Sequence, residues 1–148
     1  DKVALVTGAG SGFGAGIARR FAAEGARVVV NDINAAGAQV AEEIRAAGGR
    51  AEFVQADVTA DADWAAMVDA TVGKLGRLDI VVNNAGWTNR NKPLLETTDA
   101  EFDRIYAVNV KSVFLSARHV VPVFRAHGGG CFVNIASTAG VRPRPGLT

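Results

Sequence analysis

The sequence predicts an α/β protein, a doubly wound parallel sheet with helices on both faces. Three observations predict it. Five short β-rich apolar runs alternate with segments of helical periodicity. Each run reads as continuous rather than alternating, as expected for parallel strands covered on both faces. Glycines stand just after the helical segments, at Gly25, Gly48, Gly49, Gly76 and Gly128 to Gly130, where a helix C-cap belongs.

The strand runs are residues 3–6, 27–30, 51–56, 78–82 and 131–136. The first helical segment, 14–24, spaces Ile17, Ala18 and Phe21 on one side. The second, 34–47, is rich in Ala and Glu, with Val40 and Ile44 four apart. The third, 61–75, opens with acidic residues, which suit a helix N-terminus. The fourth, 98–125, is one long or bent stretch carrying Phe102, Ile105, Val108 and Phe114. Pro122 is expected to kink or end it. No internal repeat, low-complexity tract or linker interrupts the pattern, so residues 1–148 read as a single domain. A sixth strand usually follows in this architecture, so the polypeptide is expected to continue past Thr148.

Composition narrows the function. The 148 residues are 49% apolar, enough to bury a core, which excludes a disordered tail. Sixteen Lys and Arg against 15 Asp and Glu leave a net charge of +1, so no nucleic-acid partner is expected. A single cysteine, Cys131, excludes an internal disulfide framework and reads as a small core residue. It fits a reducing compartment, and the expected location is the cytoplasm. No apolar run reaches the roughly 18 to 20 residues of a membrane span, and residues 1–6 lack the stretch of a signal peptide. No His, Cys or carboxylate set has ligand spacing, so no metal is expected.

In an open parallel sheet, ligands bind beyond the carboxyl ends of the strands. The first strand is followed by Gly8, Ser11, Gly12, Phe13 and Gly14 in a turn that runs straight into a helix. Glycines there allow a tight turn and close approach of a pyrophosphate to backbone N–H groups at the helix N-terminus. No Gly-Lys-Ser/Thr follows, which excludes a P-loop. The plain alternative is a turn that holds no ligand. Asp32 lies twenty positions past Gly12, beside Ile33. That is the Rossmann-type position for a carboxylate on the adenosine ribose. Such a carboxylate repels a 2′-phosphate, and no Lys or Arg stands in the turn or just after Asp32. The preferred cofactor is therefore NAD over NADP. A helix-capping role for Asp32 is the competing reading. The remaining strands end in Asp57 and Val58, in Asn83 to Gly86, and in Ser137 to Gly140, which together describe a polar rim for an extended ligand.

These segments resemble the short-chain dehydrogenase/reductase family. Thr7-Gly8-x-x-x-Gly12-x-Gly14 is similar to that family's cofactor turn, and Asn83-Asn84-Ala85-Gly86 to its motif after the fourth strand. Asn109 and Ser137 stand where the family carries its catalytic-site asparagine and serine. The resemblance covers the whole chain. It implies a nicotinamide-dependent oxidoreductase acting on a small-molecule alcohol or carbonyl. It implies that Phe13 and neighbouring backbone groups hold the pyrophosphate. Asp57 and Val58 would face the adenine, and Asn84, Ala85 and Gly86 the nicotinamide-side ribose. Ser137 would polarise the substrate oxygen, and Asn109 would hold a water in a proton relay. The family's base is a tyrosine, with a lysine four residues on. Here that pair is expected at or just beyond Thr148; the single tyrosine, Tyr106, reads as structural. A homotetramer or homodimer is expected, through the long helices.

Other residues carry weaker signals. Trp87, in the loop 87–92, either packs or contacts substrate. His119 and His127 read as solvated or packed. Residues 142–145, Arg-Pro-Arg-Pro, form a basic loop that is either solvated or aimed at an acidic substrate. Rival functions are a 3-oxoacyl-thioester reductase, with sugar and steroid-like alcohols also open, and a non-catalytic dinucleotide-binding protein. A nucleic-acid-binding domain of the same fold needs a basic face that the charge does not supply.

Overall fold

Branched and small apolar residues set the sheet. The computed structural model describes residues 1–142. Its strands are β1 (Val3–Val6), β2 (Arg27–Asp32), β3 (Arg50–Gln55), β4 (Ile80–Asn83) and β5 (Cys131–Asn134). The helices are α1 (Gly12–Ala23), α2 (Gly37–Ala46), α3 (Asp61–Leu75), α4 (Asp99–Tyr106) and α5 (Ser112–Ala126). Among the described residues the strands form one parallel sheet in the order β3-β2-β1-β4-β5.

Because side chains alternate across a strand, the sheet divides its apolar residues between two layers. Val3, Leu5, Val29 and Val81 pack with Trp64, Met67 and Val68 of α3 and Leu115, Val120 and Phe124 of α5. Val6, Val28, Val30 and Val82 pack with Ala15, Ala18 and Ala22 of α1 and Val40 and Ile44 of α2. At the amino edge of the sheet, buried Asp79 accepts from the Val3 amide at 2.9 Å and pairs with Arg77 and Lys2. Burial works to raise its pKa. The Arg77, Val3 and Lys2 hydrogen bonds outweigh that and hold it at about 2.

The expected helix-ending glycines are there: Gly76 is the C-cap of α3, and Gly25, Gly48 and Gly128 directly follow the C-caps of α1, α2 and α5, all with φ between +77° and +86°. The expected long or bent helical stretch is there: α4 runs through a π turn, Ala107–Lys111, which contains Asn109, directly into α5. Two expectations are corrected. Pro122 does not end the stretch. Pro122 is exposed inside α5, on the side away from the core, while buried Val120 and Phe124 anchor the helix to the sheet. Cys131 is exposed rather than in the core, because β5 is an edge strand among the described residues. Of the loop 142–145, residues 143–145 lie outside the described residues, as does Thr148.

Candidate active site

The strand order places β1 between β2 and β4, so their carboxyl ends share one edge. The turn after β1 is fixed by its neighbours: the Ala9 amide donates to the Asn31 carbonyl at 2.8 Å. Gly8 and Gly12 take φ of +60° and +52°, a region L side chains rarely adopt. A Cβ on Gly14 would collide with the Gly8 carbonyl oxygen and sit 2.5 Å from Asn84 Nδ2. Glycine at 14 is therefore what lets α1 start directly against the turn. Ser11 is the N-cap, extended and without a side-chain cap bond, and the first turn of α1 holds no acidic residue. The opening N–H groups of a helix lack intrahelical partners, so this end is electropositive.

A cleft of about 460 Å³ opens along this edge. One wall is the glycine turn, with Gly8, Ser11, Gly12, Phe13 and Gly14. Phe13 is 84% exposed. The second wall is the end of β2. Asp32 Oδ2 accepts from the Gly10 amide at 2.9 Å, and Oδ1 from the Asn34 amide at 2.9 Å. Asp32 thus braces the turn, and the N-cap of α2 is Ala36. Ile33 beside it is exposed. Beneath lies Asn31, fully buried, donating through Nδ2 to the Val54 and Ala56 carbonyls. Its Oδ1 has no partner, although the residue lines the cleft. Asp57 and Val58 close this end. Asp57 is held by Thr59, whose amide and hydroxyl both donate to Oδ1 at 2.8 Å.

The third wall follows β4. The Thr7 hydroxyl donates to the Val82 carbonyl and accepts from the amides of Asn84 and Ala85 at 3.0 and 3.1 Å. Asn84 Nδ2 donates back to the carbonyls of Thr7 and Gly8. These bonds tie the segment 84–86 to the glycine turn. Beyond Gly86, the Asn109 amide grips both backbone polar groups of Trp87: Oδ1 accepts from its N–H at 2.9 Å and Nδ2 donates to its carbonyl at 2.8 Å. The Arg104 guanidinium lies 4.4 Å from the centre of the Trp87 ring. The loop is further held by Lys92, 2.6 Å from Glu101 Oε2. Lys92 and the Thr98 amide bring the Glu101 pKa down to about 2.

Residues 2–148 match the family described as short chain dehydrogenase. This chain belongs to the short-chain dehydrogenase family. It is 58% identical over 148 residues to a 4-formylbenzenesulfonate dehydrogenase of Comamonas testosteroni, covering 99% of this chain and 59% of that protein. It is 43% identical to a 7alpha-hydroxysteroid dehydrogenase of Escherichia coli over 93% of this chain and 54% of that one. Among solved structures, a 3-ketoacyl-(acyl-carrier-protein) reductase from Brucella melitensis complexed with NADH superposes with a TM-score of 0.91 at 47% identity. That match covers 99% of this chain and 61% of that one. The chain thus spans a little over half the length of these relatives.

In this short-chain dehydrogenase chain, the cleft gathers every residue to which the sequence assigns a cofactor contact. Asn109 and Ser137 do not line it. Asn109 reaches it through Trp87, and Ser137 is exposed beyond β5, its Oγ accepting from the Ala139 amide at 3.2 Å. The cleft also includes Asn31, Arg104 and Val108, which sequence reasoning missed. The four-residue spacing of Arg104 and Val108, which shares a helix face, was the available signal. His119 is not without a partner: Nε2 lies 3.0 Å from Asp61 Oδ1, joining α5 to the start of α3. That bond, with Arg118 nearby, lowers the Asp61 pKa. Tyr106 packs on Phe102, ring centres 4.9 Å apart.

Proposed function

We propose that the protein is an NAD(H)-dependent oxidoreductase that interconverts a secondary alcohol or related alcohol with its ketone or aldehyde. The observation that carries this reading is the single cleft running from Asp32, past the glycine turn, to Asn84, Ala85 and Gly86. The residues fit a dinucleotide. The open amides at the start of α1 suit a pyrophosphate. The unpartnered, buried Asn31 Oδ1 is an acceptor awaiting a donor. Asp32 accepts few enough hydrogen bonds to leave lone pairs for a ribose diol.

The bound nicotinamide would supply or take up the hydride. Gly8, Ser11, Gly12, Phe13 and Gly14 would bind the pyrophosphate. Asp32 and Ile33 would hold the adenosine ribose, with Asp57 and Val58 at the adenine. Asn84, Ala85 and Gly86 would lie along the nicotinamide-side ribose. Ser137 would donate to the substrate oxygen. The Asn109 side chain is spent on Trp87, so its part in a proton relay would fall to its backbone or to the loop it positions. A tyrosine and lysine past Thr148 would complete the acid–base set. The Comamonas relative supports aromatic aldehydes or alcohols as substrates. The Brucella neighbour supports a 3-oxoacyl thioester as the second reading. The exposed Phe102, Tyr106, Val110 and Phe114, spaced four apart, support assembly into a homodimer or homotetramer. No helix among the described residues is long and apolar enough to cross a membrane. A cytoplasmic location is our reading.

The test is kcat/KM of the whole protein with NAD and with NADP. NAD should be preferred, and Asp32→Ala should erode the preference by about tenfold or more, a step of about 1.4 kcal/mol. An unchanged ratio would sink the Asp32 assignment.

A further inference from the structure

We propose that Trp87 and Arg104 form a substrate-selecting site for aromatic carbonyl or alcohol compounds that carry an anionic group, such as a sulfonate or carboxylate. The inference rests on the oxidoreductase reading above and specifies its substrate class. Arg104 lies on α4 and Trp87 on the loop after β4, and both line the β4 end of the cleft. The guanidinium sits over the indole face at 4.4 Å. A stacked guanidinium keeps its N–H edge free, and that edge matches two oxygens of an oxyanion.

Among the described residues no hydrogen bond or ion pair claims that edge. Among the described residues no carboxylate lies within 4.0 Å of Arg104, whereas the neighbouring cation, Lys92, is neutralised by Glu101. The backbone that carries the indole is also fixed. Both polar groups of the Trp87 backbone are bonded to Asn109, so the loop presents the ring from one place. Val108, one turn along from Arg104, adds an apolar surface beside it. The cleft's own carboxylates, Asp32 and Asp57, lie at the ends of β2 and β3, across β1 from this pair. The cleft is therefore acidic at one end and cationic–aromatic at the other. An arene with an anionic substituent matches the second end in both shape and charge.

The experiment compares the full-length protein's kcat/KM for NADH-driven reduction of 4-formylbenzenesulfonate, benzaldehyde and cyclopentanone. The first two share ring and aldehyde and differ in charge. Wild type should favour the sulfonate, with a KM that rises with added salt. Arg104→Gln should cut the sulfonate-to-benzaldehyde ratio by about tenfold to a hundredfold, mainly through KM, since hydrogen bonds to charged groups are the strong ones. Arg104→Lys should recover part of it. The Kd for NADH, read by fluorescence, should stay within about twofold in both variants. A ratio unchanged by Arg104→Gln overturns the site. So does a loss of NADH affinity parallel to the loss of activity, which would put Arg104 on the cofactor. Turnover of cyclopentanone alone also overturns it and leaves the oxidoreductase reading standing. Turnover of none of the three with NADH or NADPH counts against that reading itself.

Discussion

Gly14 is the residue at which the cleft is most sensitive. A methyl group there would overlap the Gly8 carbonyl and press on Asn84 Nδ2, so backbone rather than a flexible side chain must move. Gly14→Ala should therefore weaken NADH binding by about tenfold or more, a step of about 1.4 kcal/mol, with fold retained by circular dichroism, because a displaced turn moves the backbone N–H groups that would meet the pyrophosphate. The neighbouring Gly16 is the control: nothing lies within 4 Å of its missing Cβ. Gly16→Ala should leave NADH affinity unchanged. Equal effects at both positions would mean that helix propensity, not the close approach, governs the turn.

At the scale of elements, α3 is the best test of how packing holds the cleft open. Trp64 is fully buried, and its indole N–H donates to the Val58 carbonyl at 2.9 Å. It thereby fixes the loop that carries Asp57 and Val58. Trp64→Ala should cost about 3–5 kcal/mol by cavity formation, read from urea unfolding midpoints. Trp64→Phe keeps most of the volume and leaves the Val58 carbonyl unpaired, so its cost should fall in the range of about 1–3 kcal/mol. α4 passes into α5 through a π turn without a break. The π turn carries Asn109, whose amide reaches Trp87. A continuous α-helix would rotate that side chain to another face.

For the whole molecule, acid stability is linked to Asp79 at the amino edge of the sheet. Its folded pKa is about 2 against an ordinary 3.8, so the carboxylate form is favoured in the folded state. A depressed carboxylate stabilises above its unfolded pKa and loses that contribution as pH falls through the folded value. The loss should run between about pH 4 and pH 2 and amount to about 2 kcal/mol. Unfolding midpoints at pH 7 and pH 3 should differ more for the wild type than for Asp79→Asn. Equal differences would show that other carboxylates dominate acid unfolding.

Periodicity and glycine placement determined the architecture in the sequence alone: five strands, the α/β alternation, and the helix-ending glycines Gly25, Gly48, Gly76 and Gly128. These are local properties, written in short continuous β-rich runs and in a spacing near four between them. The glycine turn and Asp32 were legible for the same reason, since each sits at a fixed distance from a strand end. Tertiary structure alone decided what distant residues share. Asn31 sits under the cleft because β2 pairs with β3, and Arg104 meets Trp87 because α4 returns beside the loop after β4. Pro122 continues a helix because neighbours in space hold the turns on either side of it. Such contacts depend on elements that a local pattern does not encode, as the pairing of His119 with Asp61 across 58 positions also illustrates.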